Sequence, residues 1–237
     1  MFYKHNSILL KSQIEIKNLS IPFCLALTIS QKTYFFCKAQ NQIPMHQLLF
    51  DYISKYMPLT SEEKNVILEL NLFREIKKGT LLLEEGQQSD LGYFVLKGCI
   101  RKYYIIDGEE KTTNFYTELQ GEVPECAINK KPSSYYLSCI EDSIISASTS
   151  ELDDEMFARF PRFETLCRII SEELLQKSQS SLDNFKYSPP AKRYENLVAT
   201  RPDLIQRVPQ HQLASFLGIT PQSLSRLKAR LQKTKRN

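Results

Sequence analysis

Histidine is scarce in this chain, with three residues among 237. His5 and His46 lie towards the amino terminus and His211 towards the carboxyl terminus, so no stretch collects several imidazoles. A metal-dependent enzyme of the cupin kind needs converging His and carboxylate ligands. Nucleophilic catalysis by a Ser-His-Asp or Cys-His set needs a histidine as its base. The sequence therefore predicts a protein that is not an enzyme and holds no metal, and it identifies no cofactor.

Paired cysteines are also missing. The six cysteines include no C-x-x-C pair, and a chain of 237 residues does not need disulfides to fold. Zinc and iron–sulfur sites need clustered ligands, so reduced thiols in a cytosolic protein are expected. Because three cysteines share the middle of the chain, a redox signal stays open as an alternative. The six are Cys24, Cys37, Cys99, Cys126, Cys139 and Cys167, of which Cys99, Cys126 and Cys139 are those three.

No apolar run is long enough to cross a membrane. The longest, residues 19–30, falls short of the roughly 20 residues that a bilayer requires. Glu15 and Lys17 precede it, which argues against a signal peptide. We therefore expect a cytoplasmic protein without a membrane partner. Residues 1–44 differ in composition from the rest, and our hypothesis is that Met45 is the true start, which mass spectrometry of the native protein tests.

Negative charge is scarce at the carboxyl end. Residues 188–237 contain ten Lys or Arg and only two Asp or Glu, whereas residues 45–187 carry a net charge of −8 and residues 1–44 carry +4. Cationic side chains displace the counterions that condense on nucleic-acid phosphates, so a basic end on an acidic body is typical of nucleic-acid binding.

Turn-forming residues divide the middle of the chain. Apolar residues at helical spacing predict a helix from Met45 to Pro58, and Thr60 followed by Glu63 predicts a capping box. Six of the seven glycines then separate short strand-like runs. This spacing indicates a β sandwich or barrel, and no G-x-G-x-x-G precedes a helix. The predicted strands cover residues 80–83, 91–96, 99–106, 111–116, 135–140 and 143–148.

A long helix is predicted over residues 162–185, about 36 Å at 1.5 Å per residue. Its apolar residues recur at helical spacing from Phe163 and Leu166 onwards, and polar residues interrupt them near Lys177. Two interpretations stay open: packing against the β domain over its first half, or a connector or parallel dimer seam. A Ser-Pro-Pro sequence at residues 188–190 breaks this helix, and another is predicted over residues 191–199.

Residues 208–227 are the most informative stretch. They predict two short helices joined by a turn in which Gly218 adopts a positive φ. Thr220 is suited to cap the second helix, and Pro221 to occupy its first position. This spacing matches the helix-turn-helix motif, and the alternative is an αα-hairpin with solvated charges. The residues predicted to form the small core are Leu213, Ala214, Leu217, Ile219, Leu224 and Leu227.

This order of parts resembles the Crp/Fnr family of bacterial transcription regulators over residues 45–237. The specific pieces are the helix-turn-helix at residues 210–227 and the strand, Lys97-Gly98, strand sequence. Residues 207–210 look like those of Bacteroidetes-type members. The resemblance implies an α+β protein with a double-stranded β-helix (jelly-roll) barrel and a winged helix-turn-helix. The expected parts are an extension of doubtful status (1–44), a cyclic-nucleotide-binding-like effector barrel (45–158), a dimerisation helix (159–187) and a DNA-binding domain (188–237).

The resemblance also implies how such a protein works. It implies a homodimer whose recognition helices enter successive major grooves of a near-palindromic operator in double-stranded DNA, with RNA polymerase as a further partner. An unknown small-molecule effector shifts the balance between two dimer geometries. The alternative is a cyclic-nucleotide-binding signalling protein whose main role is not DNA binding, which leaves the basic carboxyl end unexplained.

The resemblance implies a recognition helix from Thr220 to about Lys233, whose side chains contact the bases. The family's base-contacting positions hold Pro221, Gln222 and Arg226. Gln222 is suited to adenine and Arg226 to guanine. Pro221 makes no side-chain hydrogen bond where cyclic-AMP receptors have arginine, so the target sequence is expected to differ from theirs. The expected phosphate contacts are Ser223, Ser225 and Arg230.

The effector pocket departs from the family pattern. The family's phosphate-binding segment begins Gly-Glu and ends about ten residues later in Arg-Ser or Arg-Thr, but Pro132 stands at the arginine position here. Lys130 and Lys131 are flexible point charges, and Pro124 is expected to remove one N–H donor from the short phosphate-binding helix. Burying a phosphate without a fixed cation is costly, so weak or no binding of cyclic AMP is predicted. The candidate effector-binding residues are Gly121, Glu122, Ser133 and Ser134.

Overall fold

The structure, a computed structural model, describes residues 45–234, which lie in one compact unit spanning Ile43–Asn237. The extension 1–44, and with it the hypothesis about the start of the protein, lies outside the described residues. No helix in the described part is long and apolar enough to cross a membrane. Within residues 45–234 no three His, Cys, Asp or Glu side chains are grouped so that they could hold a metal ion.

Within residues 45–234, two helices precede the strands: α1 (Met45–Ile53) and α2 (Ser61–Glu69). The predicted capping box is confirmed, because the Glu63 N–H donates to Thr60 Oγ1 at 3.2 Å and the Thr60 N–H donates to Glu63 Oε2 at 2.7 Å. Helix α1 ends at Ile53 rather than at Pro58. The chain leaves the helix in tight turns there, with the Tyr56 N–H donating to Ile53 O at 3.0 Å.

In the part of the chain that the structure describes, eight strands form two four-stranded antiparallel sheets, ordered β1-β8-β3-β6 and β2-β7-β4-β5. The predicted α+β class and β barrel are confirmed. The two sheets enclose a core in which the side chains of Leu83, Val95 and Leu137 are fully buried. The strands are β1 (Phe73–Ile76), β2 (Leu81–Leu83), β3 (Leu91–Lys97), β4 (Ile100–Ile106), β5 (Glu109–Tyr116), β6 (Gly121–Glu122), β7 (Tyr136–Cys139) and β8 (Ser143–Thr149).

The six predicted strands are confirmed to within two residues at each end. Strands β1 and β6 were not predicted. Strand β1 has its two central residues exposed and so shows no alternation, and β6 has only two residues. Asp107 and Gly108 both have positive φ, at 53° and 77°, which suits the two-residue turn of the β4–β5 hairpin.

Among the described residues, seven further helices follow or interrupt the strands: α3 (Glu125–Asn129), α4 (Ser150–Arg159), α5 (Arg162–Tyr187), α6 (Pro190–Thr200), α7 (Pro202–Arg207), α8 (Gln210–Leu217) and α9 (Pro221–Thr234). The long helix is confirmed as α5. The short helix α7 was not predicted. No strand occurs between residues 188 and 234, so the predicted wing is wrong for that stretch, where a proline starts α7 instead.

The first half of α5 packs against the two helices that precede the strands, and Phe73 of β1 packs against the same cluster. Phe163 and Leu166 are buried there together with Phe50 and Ile67. Arg162 binds both oxygens of the buried Glu63 carboxylate, with Nε at 2.6 Å from Oε1 and Nη2 at 2.8 Å from Oε2. Beyond Leu174, the side chains of α5 are exposed as far as Asp183.

Candidate DNA-binding surface and effector pocket

The turn between α8 and α9 has the predicted geometry. Gly218 has φ +70° and ends α8 through its N–H, which donates to Ser215 O at 3.0 Å. Thr220 Oγ1 accepts the Ser223 N–H at 3.2 Å, so the predicted cap is confirmed. Pro221 is the first residue of α9, where its missing N–H costs nothing.

The predicted helix-turn-helix core is also confirmed. Five of its six residues are buried, and the sixth, Ile219, is half-buried against them. Helices α6 and α7 complete this core, with Tyr194, Leu197 and Leu204 buried in it. Helix α9 is therefore fixed on one side by the other helices of this region.

The seven candidate DNA-binding residues are all exposed: Thr220, Pro221, Gln222, Ser223, Ser225, Arg226 and Arg230. Leu224 and Leu227 face the core, and the seven residues lie on the solvent-facing surface of α9 and of the turn before it. Part of it forms a shallow open depression of about 280 Å³, lined by Ser223, Arg226, Leu227 and Arg230. Thr220 Oγ1 lies 3.0 Å from Ser223 Oγ, so Ser223 also serves the start of the helix. The assignment of base and phosphate contacts stays a prediction.

Some of the cationic side chains near the carboxyl end make contacts within the protein. Arg193 bonds two backbone carbonyls, Arg201 bonds Asp203 and Thr117, and Arg207 bonds two glutamates. Arg226 has no ion-pair partner among residues 45–234. Three of the ten basic residues counted in the sequence are therefore engaged within the protein, so that count overstates the charge available to a phosphate backbone.

The helix-turn-helix packs on the barrel along the edge strand β5. Ser215 Oγ accepts the Thr112 N–H at 2.9 Å and lies 3.1 Å from Glu110 O, its acceptor. The Phe115 and Phe216 rings meet edge to face with centroids 5.4 Å apart. Sequence reasoning missed this contact, because its partners lie about a hundred residues apart in the chain.

Arg207 makes the charged part of the same contact. Its Nη1 and Nη2 lie 2.8 Å and 2.9 Å from the two Glu118 oxygens, its Nε lies 3.0 Å from Glu141 Oε1, and its Nη2 lies 2.7 Å from Gly98 O. Burial alone would raise the pKa of Glu118, but hydrogen bonds from Arg207 and from the Gly98 N–H bring it below its ordinary value.

The Glu122 carboxylate already has three partners within the barrel. Its Oε1 accepts from Lys102 Nζ at 2.7 Å and from the Tyr135 hydroxyl at 2.9 Å, and its Oε2 accepts from the Tyr116 hydroxyl. Lys102 Nζ also lies 3.9 Å from the centroid of the Tyr135 ring. Burial and the neighbouring Glu122 charge raise the pKa of both tyrosines, so both hydroxyls stay protonated donors. Sequence reasoning missed these partners of Glu122.

The other candidate effector-binding residues are placed differently. Gly121 is required by close packing, since a Cβ there would lie 2.6 Å from Tyr93 O. Ser133 is buried and bonds the backbone of Tyr135, whereas Ser134 is exposed. Pro124 is the residue before α3, so it does not remove a donor from within the helix, and the expectation on that point is wrong.

The cysteines of the barrel are buried. Burial raises the pKa of Cys99 to about 12 and that of Cys139 above its usual range. Thiols of this kind stay protonated and react slowly, since the thiolate is the nucleophile. Nothing in their placement favours the redox alternative.

No protein-family model matches the chain. An anaerobic regulatory protein of Pasteurella multocida is 25% identical over 174 residues, which are 68% of this chain and 63% of that relative. The chain thus spans less than two thirds of that relative's length. The structure is similar to that of FixK2 from Bradyrhizobium japonicum (TM-score 0.54, 13% identity, covering 69% of this chain and 85% of the other). It is also similar to that of a CooA mutant from Carboxydothermus hydrogenoformans (TM-score 0.56, 20% identity, covering 70% of this chain and 79% of the other). The structure is similar as well to that of the regulator CLP of Xanthomonas campestris, with a TM-score of 0.54 and 15% identity, covering 72% of this chain and 93% of the other.

These findings define the class of protein by its fold: a cyclic-nucleotide-binding-like barrel, a long helix and a helix-turn-helix in one chain. That fold is the fold of the Crp/Fnr regulators, and the resemblance predicted from the sequence is confirmed.

Proposed function

We propose that this protein is a DNA-binding transcription regulator of the Crp/Fnr type that acts as a homodimer. The observation that carries the proposal is helix α9, which turns Leu224 and Leu227 into a core and leaves Gln222 and Arg226 exposed one turn apart. Residues four apart lie on one helix face, so both side chains can reach into one major groove. The same proposal includes a cytoplasmic location, the absence of enzymatic activity and a contact with RNA polymerase.

Dimerisation through α5 is supported by its unpartnered apolar residues. Leu175 and Leu182 are 58% and 52% exposed, and both lie in the second half of the helix. Leu175 and Leu182 are one heptad apart, which places them on one seam. Two recognition helices in such a dimer would read half-sites about one helical turn apart, roughly 34–36 Å.

The barrel is proposed to be an effector domain whose ligand is not cyclic AMP. Glu122, which would hold a ribose hydroxyl in the family, is bound by Lys102, Tyr116 and Tyr135. Pro132 offers no cation for a phosphate, and Ser133 is engaged with Tyr135. The proposed effector is therefore a ligand other than cyclic AMP.

Binding to a selected operator tests the proposed function. Full-length protein is used to select duplexes from a random pool, and Arg226→Ala is then compared with wild type on the selected sequence. We expect a loss of about 1–3 kcal/mol and relaxed preference at one base pair, since a bidentate guanine contact is worth about that much. Unchanged affinity would exclude the role of Arg226.

Lys78→Ala is the matched control for this experiment. It also removes one exposed positive charge, but from the barrel. We expect it to bind the operator as wild type does. Equal losses in both variants would mean that net charge, rather than a contact of Arg226, sets the affinity. Failure of the wild-type protein to select any duplex would contradict the proposed function as a whole.

A further inference from the structure

Arg193 joins three segments at the point where the long helix meets the helix-turn-helix. Its guanidinium carbon lies 3.9 Å from the centroid of the Phe185 ring, in the last turn of α5. Its Nε donates to Ser188 O at 2.9 Å, in the connection between α5 and α6. Its Nη1 donates to Leu217 O at 3.1 Å, at the end of α8. One half-buried side chain thus bridges the end of α5 and the turn before α9.

The chemistry of these contacts suits a rigid bridge. A guanidinium is planar and permanently charged, so it can stack on an aromatic ring while its edges donate in fixed directions. Leu217 O belongs to the last turn of α8, where carbonyls lack helical partners and the helix dipole favours a cation. A lysine in this place has one donor group and no planar edge, and it cannot make all three contacts together.

Close packing removes free space around the bridge. A Cβ built on Gly218 would lie 3.3 Å from Arg193 Nη1 and 3.4 Å from the Phe185 ring. The connection itself is held by Asn184 Oδ1, which accepts from Ser188 Oγ at 2.7 Å and from Asn196 Nδ2 at 2.9 Å. The end of α5 and the turn of the motif therefore cannot move independently without breaking these contacts.

We propose that Arg193 is a positioning residue that fixes the orientation of the recognition helix α9 relative to the long helix α5. The inference rests on the proposed function, in which two α5 helices pair and two α9 helices bind one operator. Once one α9 is bound, the second binds its half-site with an effective concentration that depends on how rigidly it is held. Arg193 therefore sets the affinity for two correctly spaced half-sites and leaves the affinity for one half-site unchanged.

The test compares two duplexes made from the selected operator, one with both half-sites and one with a single half-site. For Arg193→Ala we expect at least a tenfold loss on the full duplex and less than a twofold change on the half-site duplex. We also expect a weaker preference among duplexes whose half-site spacing is changed by one base pair. A merely structural role would lower the affinity for both duplexes in parallel, and that result would overturn the inference.

Two further variants keep the test decisive. Lys192→Ala removes the neighbouring charge, which pairs with Glu195 on the surface, and it should behave as wild type on both duplexes. Phe185→Leu removes only the stacking partner, and we expect the same selective loss on the full duplex, to a smaller extent. If Arg193→Ala fails to fold by circular dichroism, Phe185→Leu decides, and its unchanged preference for the full duplex would overturn the inference. Wild-type protein that binds neither duplex would contradict the proposed function rather than the role of Arg193.

Discussion

Glu122 is the residue whose surroundings say most about the barrel. Its carboxylate forms an ion pair with Lys102 in which the two side chains are 15% and 19% exposed. Removing one partner of an ion pair so far from solvent leaves the other charge uncompensated and lowers the stability of the protein by several kcal/mol. A ligand that needed Glu122 would have to compete with Lys102 and two tyrosine hydroxyls, which already donate three hydrogen bonds to the carboxylate. A ribose hydroxyl supplies one.

Cyclic AMP should therefore bind weakly or not at all. Isothermal titration calorimetry of the full-length protein with cyclic AMP is expected to give no binding with a Kd in the micromolar range. The acyclic nucleotide 5′-AMP, titrated in parallel, controls for adventitious surface binding of nucleotides. Micromolar affinity for the cyclic nucleotide alone would contradict the prediction and would require the Glu122 cluster to rearrange.

Elements defined by local rules were the ones that the sequence could predict. The α8–α9 turn needs a positive φ at Gly218, a cap at Thr220 and a tolerated proline at Pro221, and all three signals lie within four residues. Strand β6 and helix α7 have two and six residues, too few for a period to be visible. The wing was expected only from the family resemblance, and no strand occurs between residues 188 and 234.

The second half of α5 makes a prediction about assembly. In Leu182→Glu, a carboxylate at the centre of the proposed seam would have to lose its hydration on dimerisation, which is costly without a partner. We expect the variant to be a monomer by analytical ultracentrifugation, with wild-type helix content by circular dichroism. Ser181→Glu adds the same charge about 100° around the helix and should leave the dimer intact. A wild-type protein that is itself monomeric would contradict the proposed seam.

At the scale of the whole molecule, the barrel and the helix-turn-helix share one core. Cys99, Phe115 and Ile140 of the barrel region cluster with the buried leucines of the motif. Arg207 adds hydrogen bonds to Glu118 and Glu141, which lie 89 and 66 residues away in the sequence. Local sequence patterns carry no information about contacts between residues so far apart in the chain. The position of the motif on β5 could therefore not be predicted from the chain.

The Arg207–Glu118 pair gives this contact a pH dependence. Burial opposes the charged form of Glu118, but the hydrogen bonds from Arg207 and Gly98 prevail and its pKa lies below its ordinary value. A carboxyl group whose folded-state pKa is lowered stabilises the protein fully above its unfolded-state pKa of about 4.3. That contribution is lost as the pH falls through the folded-state pKa. Glu118→Gln should therefore lower the urea midpoint of unfolding at pH 7, and the difference from wild type should shrink on acidification.

Urea unfolding of both proteins from pH 7 down to the onset of acid unfolding measures this effect. Glu85→Gln, at an exposed position in the loop between β2 and β3, provides the matched loss of one negative charge and should follow wild type throughout. A difference between Glu118→Gln and wild type that stayed constant or grew on acidification would mean that the carboxylate is not what ties Arg207 to the barrel. A difference that disappears would locate the acid sensitivity of the contact between the motif and the barrel at Glu118, because the Arg207 guanidinium stays charged over the whole range.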